Sequence, residues 1–186
     1  MSLRVAHRRR SLRLRGFDYG RPGVYFITIR ARNDDGCALG RATTRGVELN
    51  AAGKIAKDCW LAIPKHFPGV QLDAFIVMPD HVHGILAIPE GPHRRSVGAQ
   101  HAAPLHLPMP SPIADQPRVA PGSLGAIVRS FKSATTKRIN EMRGTPGAPL
   151  WQRNYFDRII RNRSELARVR WYIRINPARL DMSREG

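Results

Sequence analysis

Two histidines one residue apart, His81 and His83, open onto the apolar run Gly84-Ile85-Leu86, shortly after a second apolar run, Ala74-Phe75-Ile76-Val77-Met78. Side chains on a β-strand alternate faces, so His81 and His83 project from one side while Val82 points into a core. Two imidazoles so placed can close on one metal ion, and the same pair also suits a merely solvated polar face. Near the far end of the chain Tyr172 and Asn176 stand four residues apart, which on a helix puts them on one face a turn apart. A phenol, whose unperturbed pKa is about 10, attacks phosphorus well only if its proton is drawn off or its target is polarised. A divalent cation on the histidines does the second by holding oxygens of a scissile phosphate. The Asn176 amide carbonyl is the candidate third ligand. Mixed nitrogen and oxygen ligation suits Mg²⁺ or Mn²⁺, with Mn²⁺ the more tolerant of nitrogen. The structural alternatives are a half-buried core tyrosine and a plain helix-end asparagine. Tyr19, Tyr25 and Tyr155 lack an oxygen donor at this spacing, and Tyr25 sits inside a strand.

The elements that must position these groups follow from hydropathy patterning. Val24-Tyr25-Phe26-Ile27-Thr28-Ile29 reads as a strand, Asn33-Asp34-Asp35-Gly36 as a turn, and Cys37 to Thr43 as the hairpin partner of that strand. From Glu48 the period changes: Leu49, Ala52, Ile55, Ala56, Cys59, Trp60 and Ile63 recur at helical steps, and the helix stops before Pro64. A strand over 70–78, the short Pro79-Asp80 turn and the histidine strand come next. Ser123 is set to cap a helix with Leu124, Ile127, Val128, Phe131, Ala134, Thr135, Ile139 and Met142 on one face. A short strand over 157–161 leads to a last helix capped by Ser164, with Leu166, Val169 and Ile173 facing inward, ending near Asn176 because Pro177 follows. The order predicts an α+β domain, an antiparallel sheet with helices packed on one face. Residues 1–15, rich in arginine, are expected to form a basic flexible arm, or simply a solubilising tail. The Pro-rich stretch 89–122 is expected to be a disordered insertion in a single domain spanning 16–180.

The 186 residues carry 31 Lys plus Arg against 14 Asp plus Glu, a formal net charge of +17. Such an excess points to a polyanion, and arginine's planar fork suits phosphate. No stretch approaches the roughly 18 apolar residues of a membrane span, so no membrane partner is expected. With Cys37 and Cys59 as the two cysteines, there is no disulfide framework and a reducing cytosol is the expected compartment. Arg129, Lys132, Lys137, Arg153, Arg158 and Arg161 are the candidates for a nucleic-acid groove. Trp151, Tyr155 and Phe156 are candidates for base stacking, though core aromatics look the same in sequence.

The segment Met78-Pro79-Asp80-His81-Val82-His83-Gly84 resembles the His-hydrophobic-His (HUH) motif of single-tyrosine transposases, most closely the REP-associated tyrosine transposases. The run Trp151 to Asn162, the run Tyr172-Ile173-Arg174-Ile175-Asn176-Pro177, and Gly16-Phe17-Asp18-Tyr19 resemble that family too, in consistent order over about residues 11–180. The resemblance implies a ferredoxin-like HUH endonuclease fold, Tyr172 as the nucleophile, and His81 and His83 as metal ligands. Asn176 falls where mobile relatives often carry glutamine. The implied activity is metal-dependent cleavage and rejoining of single-stranded DNA at hairpin sites through a 5′-phosphotyrosine, on single-stranded or hairpin DNA in the nucleoid, with a homodimer expected in mobile relatives. The long insertion departs from compact relatives without interrupting a motif.

Other readings are a catalytically inactive hairpin-DNA-binding protein and a structural RNA-binding protein. A histidine-triad nucleotide hydrolase needs a third histidine where Ile85 stands.

Overall fold

The computed structural model describes residues 22–32, 38–44, 46–90 and 122–182, with side chains as far as Pro177. The expected arm (1–15), Tyr19, the 33–36 turn, Cys37 and nearly all of the 89–122 insertion lie outside the described residues. The chain runs β1 (Gly23–Arg30), β2 (Gly40–Thr43), β3 (Gly46–Leu49), α1 (Ala51–Leu61), α2 (Ile63–His66), β4 (Gln71–Val77), β5 (His81–Ile88), α3 (Leu124–Arg143), β6 (Phe156–Ile160) and α4 (Arg163–Met182). No described helix is long and apolar enough to cross a membrane.

The expected α+β antiparallel design is present. Four strands form one sheet in the order β4-β5-β1-β6, and β2 and β3 form a separate hairpin. With the hairpin set aside, the succession β1-α1-β4-β5-α3-β6 is the β-α-β-β-α-β arrangement of ferredoxin-like folds. β1 is central, antiparallel to β5 on one side and β6 on the other.

Alternation on β1 divides the molecule into two layers. Tyr25, Ile27 and Ile29 face one way and join Val82, Leu86, Trp60, Leu124, Ile127 and Phe131 in the larger core, under α1 and α3. Phe26 faces the other way and packs with Ile85, Ile160 and Ile173, against which Leu166, Val169 and Tyr172 lie. Two helices thus share the face expected of them, while α4 covers the opposite one. Periodicity identifies an inward stripe but not the layer it turns towards.

Local differences have local causes. β1 does not pair with the segment ending at Thr43. That segment folds back on β3, which lies where the helix was expected to begin, and the helix starts only after Asn50, whose side chain accepts from the Gly53 amide. Ser123 caps α3 as expected, accepting from the Ala126 amide, and Gly144 ends it in the left-handed region. Ala134 and Met142 are exposed, so the inward stripe of α3 is narrower than the apolar pattern. At the start of α4 the cap is Asn162, not Ser164: the Asn162 side-chain Oδ1 accepts from the Glu165 amide at 2.8 Å and from the Ser164 hydroxyl at 2.8 Å. Nor does α4 end at Asn176. It continues through Pro177, which deletes one helical hydrogen bond, because Ile173 and Asn176 are buried before it and the hairpin lies against the helix there.

Candidate active site

His81 and His83 stand on the α4 face of β5, opposite Arg30 and Thr28 of β1. Gly84 keeps the strand close to the layer beneath: a Cβ there would fall inside the Trp60 indole. The two imidazoles turn towards each other, with Nε2 to Nε2 at 2.9 Å. Each outer nitrogen has a partner. Asp80 meets His81 Nδ1 at 2.5 Å, and the Thr28 hydroxyl meets His83 Nδ1 at 2.8 Å. Asp80 in turn accepts from Arg30 at 3.0 Å.

These partners dictate the protons. The Asp80 carboxylate can only accept, so the His81 proton sits on Nδ1 and its Nε2 presents a lone pair. With His81 in that tautomer, His83 Nε2–H donates to the lone pair and the Thr28 hydroxyl donates to His83 Nδ1. In the other His83 tautomer the same hydroxyl would accept from His83 Nδ1–H, which would leave both Nε2 atoms free to hold a cation. Burial, then the charge His81 would carry if it were also protonated, pushes the His83 pKa down to about 3, so His83 is neutral near pH 7. The hydrogen bond from His81 is the main cause that holds the Asp80 carboxyl down at about 2, with Arg30 adding to it, so Asp80 stays ionised.

Tyr172 reaches this pair within the same chain. Its ring lies edge-on to His83 at 5.3 Å between centroids and edge-on to Phe26 at 6.0 Å, and Phe26 stacks on His83 at 5.4 Å. Arg170, just before it, makes a bidentate pair with Asp73 of β4 at 2.6 and 2.9 Å, fixing the rotation of α4 over the sheet. Asn176 lies one turn beyond Tyr172, 8% exposed, and its Nδ2 has no hydrogen-bond partner among the described residues. An amide nitrogen and oxygen exchange places by a flip, so this buried, unpaired end can equally offer a carbonyl oxygen. Among the described residues no group of three His, Cys, Asp or Glu could hold a metal ion. The groups that could hold a cation are the two Nε2 atoms, with Asn176, a turn beyond Tyr172 on α4, as the candidate oxygen donor.

The basic candidates separate. Arg129, Lys132 and Lys137 are on α3, in the layer opposite Tyr172. Lys132, expected at a phosphate, instead donates to the carbonyls of Gln152, Arg153 and Asn154 at 2.9, 3.3 and 3.1 Å and builds the approach to β6. Lys137 faces Glu141 at 3.9 Å. Arg153 and Arg161 are exposed at the two ends of β6, and Arg158 is on its site face, paired with Glu165 at 2.7 Å. Trp151 is buried, donating to the Thr135 hydroxyl, and Tyr155 packs on the larger core, whereas Phe156 is exposed. Sequence reasoning missed Thr28, Arg30 and Asp80 as partners of the histidines. Asp80 directly precedes His81 and was legible; Thr28 and Arg30 depend on strand register.

No family model matches the chain. A Haemophilus influenzae protein named only as uncharacterized is 35% identical over 172 residues, 92% of this chain and 89% of that one. Among solved structures, a REP-associated tyrosine transposase bound to a REP hairpin is similar with a TM-score of 0.56, at 20% identity over 91% of this chain and 74% of that chain. What the two structures share is the fold, an antiparallel four-stranded sheet with helices.

Proposed function

From a chain that belongs to one family with the Haemophilus influenzae protein and has the fold of a REP-associated tyrosine transposase, we propose a metal-dependent endonuclease and strand transferase. It acts on single-stranded DNA at hairpin sites. The observation that carries this reading is the meeting of Tyr172 with the converging His81–His83 pair inside one chain.

In the proposed reaction the Tyr172 oxygen attacks the scissile phosphorus. The bond from phosphorus to the 3′ oxygen breaks, the 5′ phosphate becomes joined to the tyrosine, and the 3′ oxygen leaves as a hydroxyl. The phenolic proton passes to solvent, and solvent supplies the proton that the departing 3′ oxygen takes up. Attack by a second 3′ hydroxyl reverses the step and rejoins strands, and because the phosphodiester bond energy is retained in the covalent intermediate, no nucleotide cofactor is consumed. His81, His83 and the Asn176 carbonyl would hold Mg²⁺ or Mn²⁺, which when bound polarises the phosphate towards attack. Asp80 and Thr28 keep the imidazoles aimed, and Phe26 fixes the planes of both His83 and Tyr172. Since nucleophile and ligands come from one chain, a monomer is sufficient.

The test is incubation with hairpin-bearing single-stranded DNA and Mn²⁺ or Mg²⁺. A protein–DNA adduct that survives denaturant and disappears in Tyr172→Phe is expected. His81→Ala should also lose the adduct while keeping most of the DNA affinity, which phosphate contacts supply. A gel shift with no adduct from the wild-type chain would refute the catalytic reading.

A further inference from the structure

We infer that the strip of sheet beside α4 carries the single strand leading to Tyr172, with Phe156 as a stacking face for a base and Arg158 as a phosphate contact. The inference rests on the proposed DNA-cleaving function and adds to it a track and a specific residue.

Register puts the strip on the site face. Phe156 pairs with Thr28, and Arg158 with Phe26, so both side chains project from the same side of the sheet as His83. His83, Thr28 and Phe156 form a row across three neighbouring strands, two strand spacings or roughly 10 Å from end to end. The Arg170–Asp73 pair holds α4 towards the β4 edge, and although α4 covers Ile160 of β6, the first residue of that strand is left open, with Phe156 40% exposed. A chain of ring contacts runs from there to the site: Phe156 meets the buried Phe26 edge-on at 6.3 Å, and Phe26 touches both His83 and Tyr172.

One exposed phenylalanine is ordinary. The second observation is the arginine two residues along. Glu165 is buried, its carboxylate fixed by the Arg161 amide at 3.0 Å, and it holds the Arg158 guanidinium at 2.7 Å while that side chain stays 58% exposed. A guanidinium has five donors, so an arginine held on one edge still offers others to a phosphate, already ordered. Upstream, the Lys132 clamp on the Gln152, Arg153 and Asn154 carbonyls fixes the entry to β6. An aromatic face and a prepositioned cation in one line, on a chain of net charge +17, match a single strand, whose unstacked bases and phosphates alternate. Trp171 is 60% exposed, yet it precedes Tyr172 on the outward side of α4 and lies off this row.

The probe is a DNA hairpin with an oligothymidine tail, compared with the same hairpin lacking the tail, bound to full-length chain in a Tyr172→Phe background and followed by fluorescence anisotropy. Phe156→Leu keeps apolar bulk against Phe26 and removes the ring. It should weaken binding of the tailed hairpin about 5- to 100-fold, the range for one lost base stack, and leave the untailed hairpin unchanged. Phe156→Trp should retain tailed binding, and Trp171→Ala should alter it less than Phe156→Leu. Arg158→Ala should reduce the slope of log affinity against log salt by about 0.7, whereas Phe156→Leu should not. Equal losses on both hairpins, or no loss on the tailed one, overturn the inference while the adduct assay leaves the proposed function standing. Loss of self-association in Phe156→Leu with tailed binding intact overturns it in favour of a contact between copies. A wild-type chain that binds no DNA removes both.

Discussion

At the residue scale the candidate site depends on the partners of its two histidines. Asp80 fixes the His81 tautomer, and the Thr28 hydroxyl, which can donate or accept, lets His83 change tautomer without leaving a buried nitrogen unpaired. Partners of this kind are worth roughly 10- to 100-fold in metal affinity. Thr28→Val, close in shape and lacking the hydroxyl, is therefore expected to weaken Mn²⁺ binding by about that factor, read by calorimetric titration without DNA. An unchanged Mn²⁺ affinity would show that Thr28 only fills space.

At the element scale, β5 is pressed between α4 and Trp60, and α4 is tied to the sheet by two ion pairs, Arg170–Asp73 at β4 and Glu165–Arg158 at β6. Trp60 is fully buried, stacked on Phe75 and edge-on to Phe131, so it has nowhere to retreat. Gly84→Ala should cost about 1–3 kcal/mol, the usual cost of overpacking, read from urea unfolding; a cost near zero would mean the layer gives. The Asp73–Arg170 pair makes a pH-dependent contribution. The hydrogen bonds from Arg170 hold the Asp73 pKa below its ordinary value of 3.8. A carboxyl whose folded pKa is depressed stabilises the fold above the ordinary value, and that contribution fades as pH falls through and below 3.8. Asp73→Asn should thus be less stable than wild type at pH 7, and the gap should close in acid. A gap independent of pH would assign the loss to packing.

At the scale of the whole molecule, Tyr172 and His83 meet within one chain, so under the proposed reaction a mixture of Tyr172→Phe and His81→Ala proteins should form no adduct with DNA. Restored activity would mean that α4 exchanges between copies. The two-layer arrangement also ranks the cations: Arg158→Ala should cost more DNA affinity at fixed salt than Arg129→Ala or Lys137→Ala, whose side chains project from the layer behind the sheet. Sequence determined what depends on near neighbours. Alternation put His81 and His83 on one face, the four-residue step put Tyr172 and Asn176 on another, and apolar periods located α1, α3 and most strands. Tertiary structure decided what depends on partners distant along the chain. The hairpin partner of β2, the layer taken by α4, the passage of α4 through Pro177, and the pairing of Thr28 and Arg30 with the histidines all follow from strand register and packing. A residue's own pattern says which side it turns inward; only the folded chain supplies what waits there.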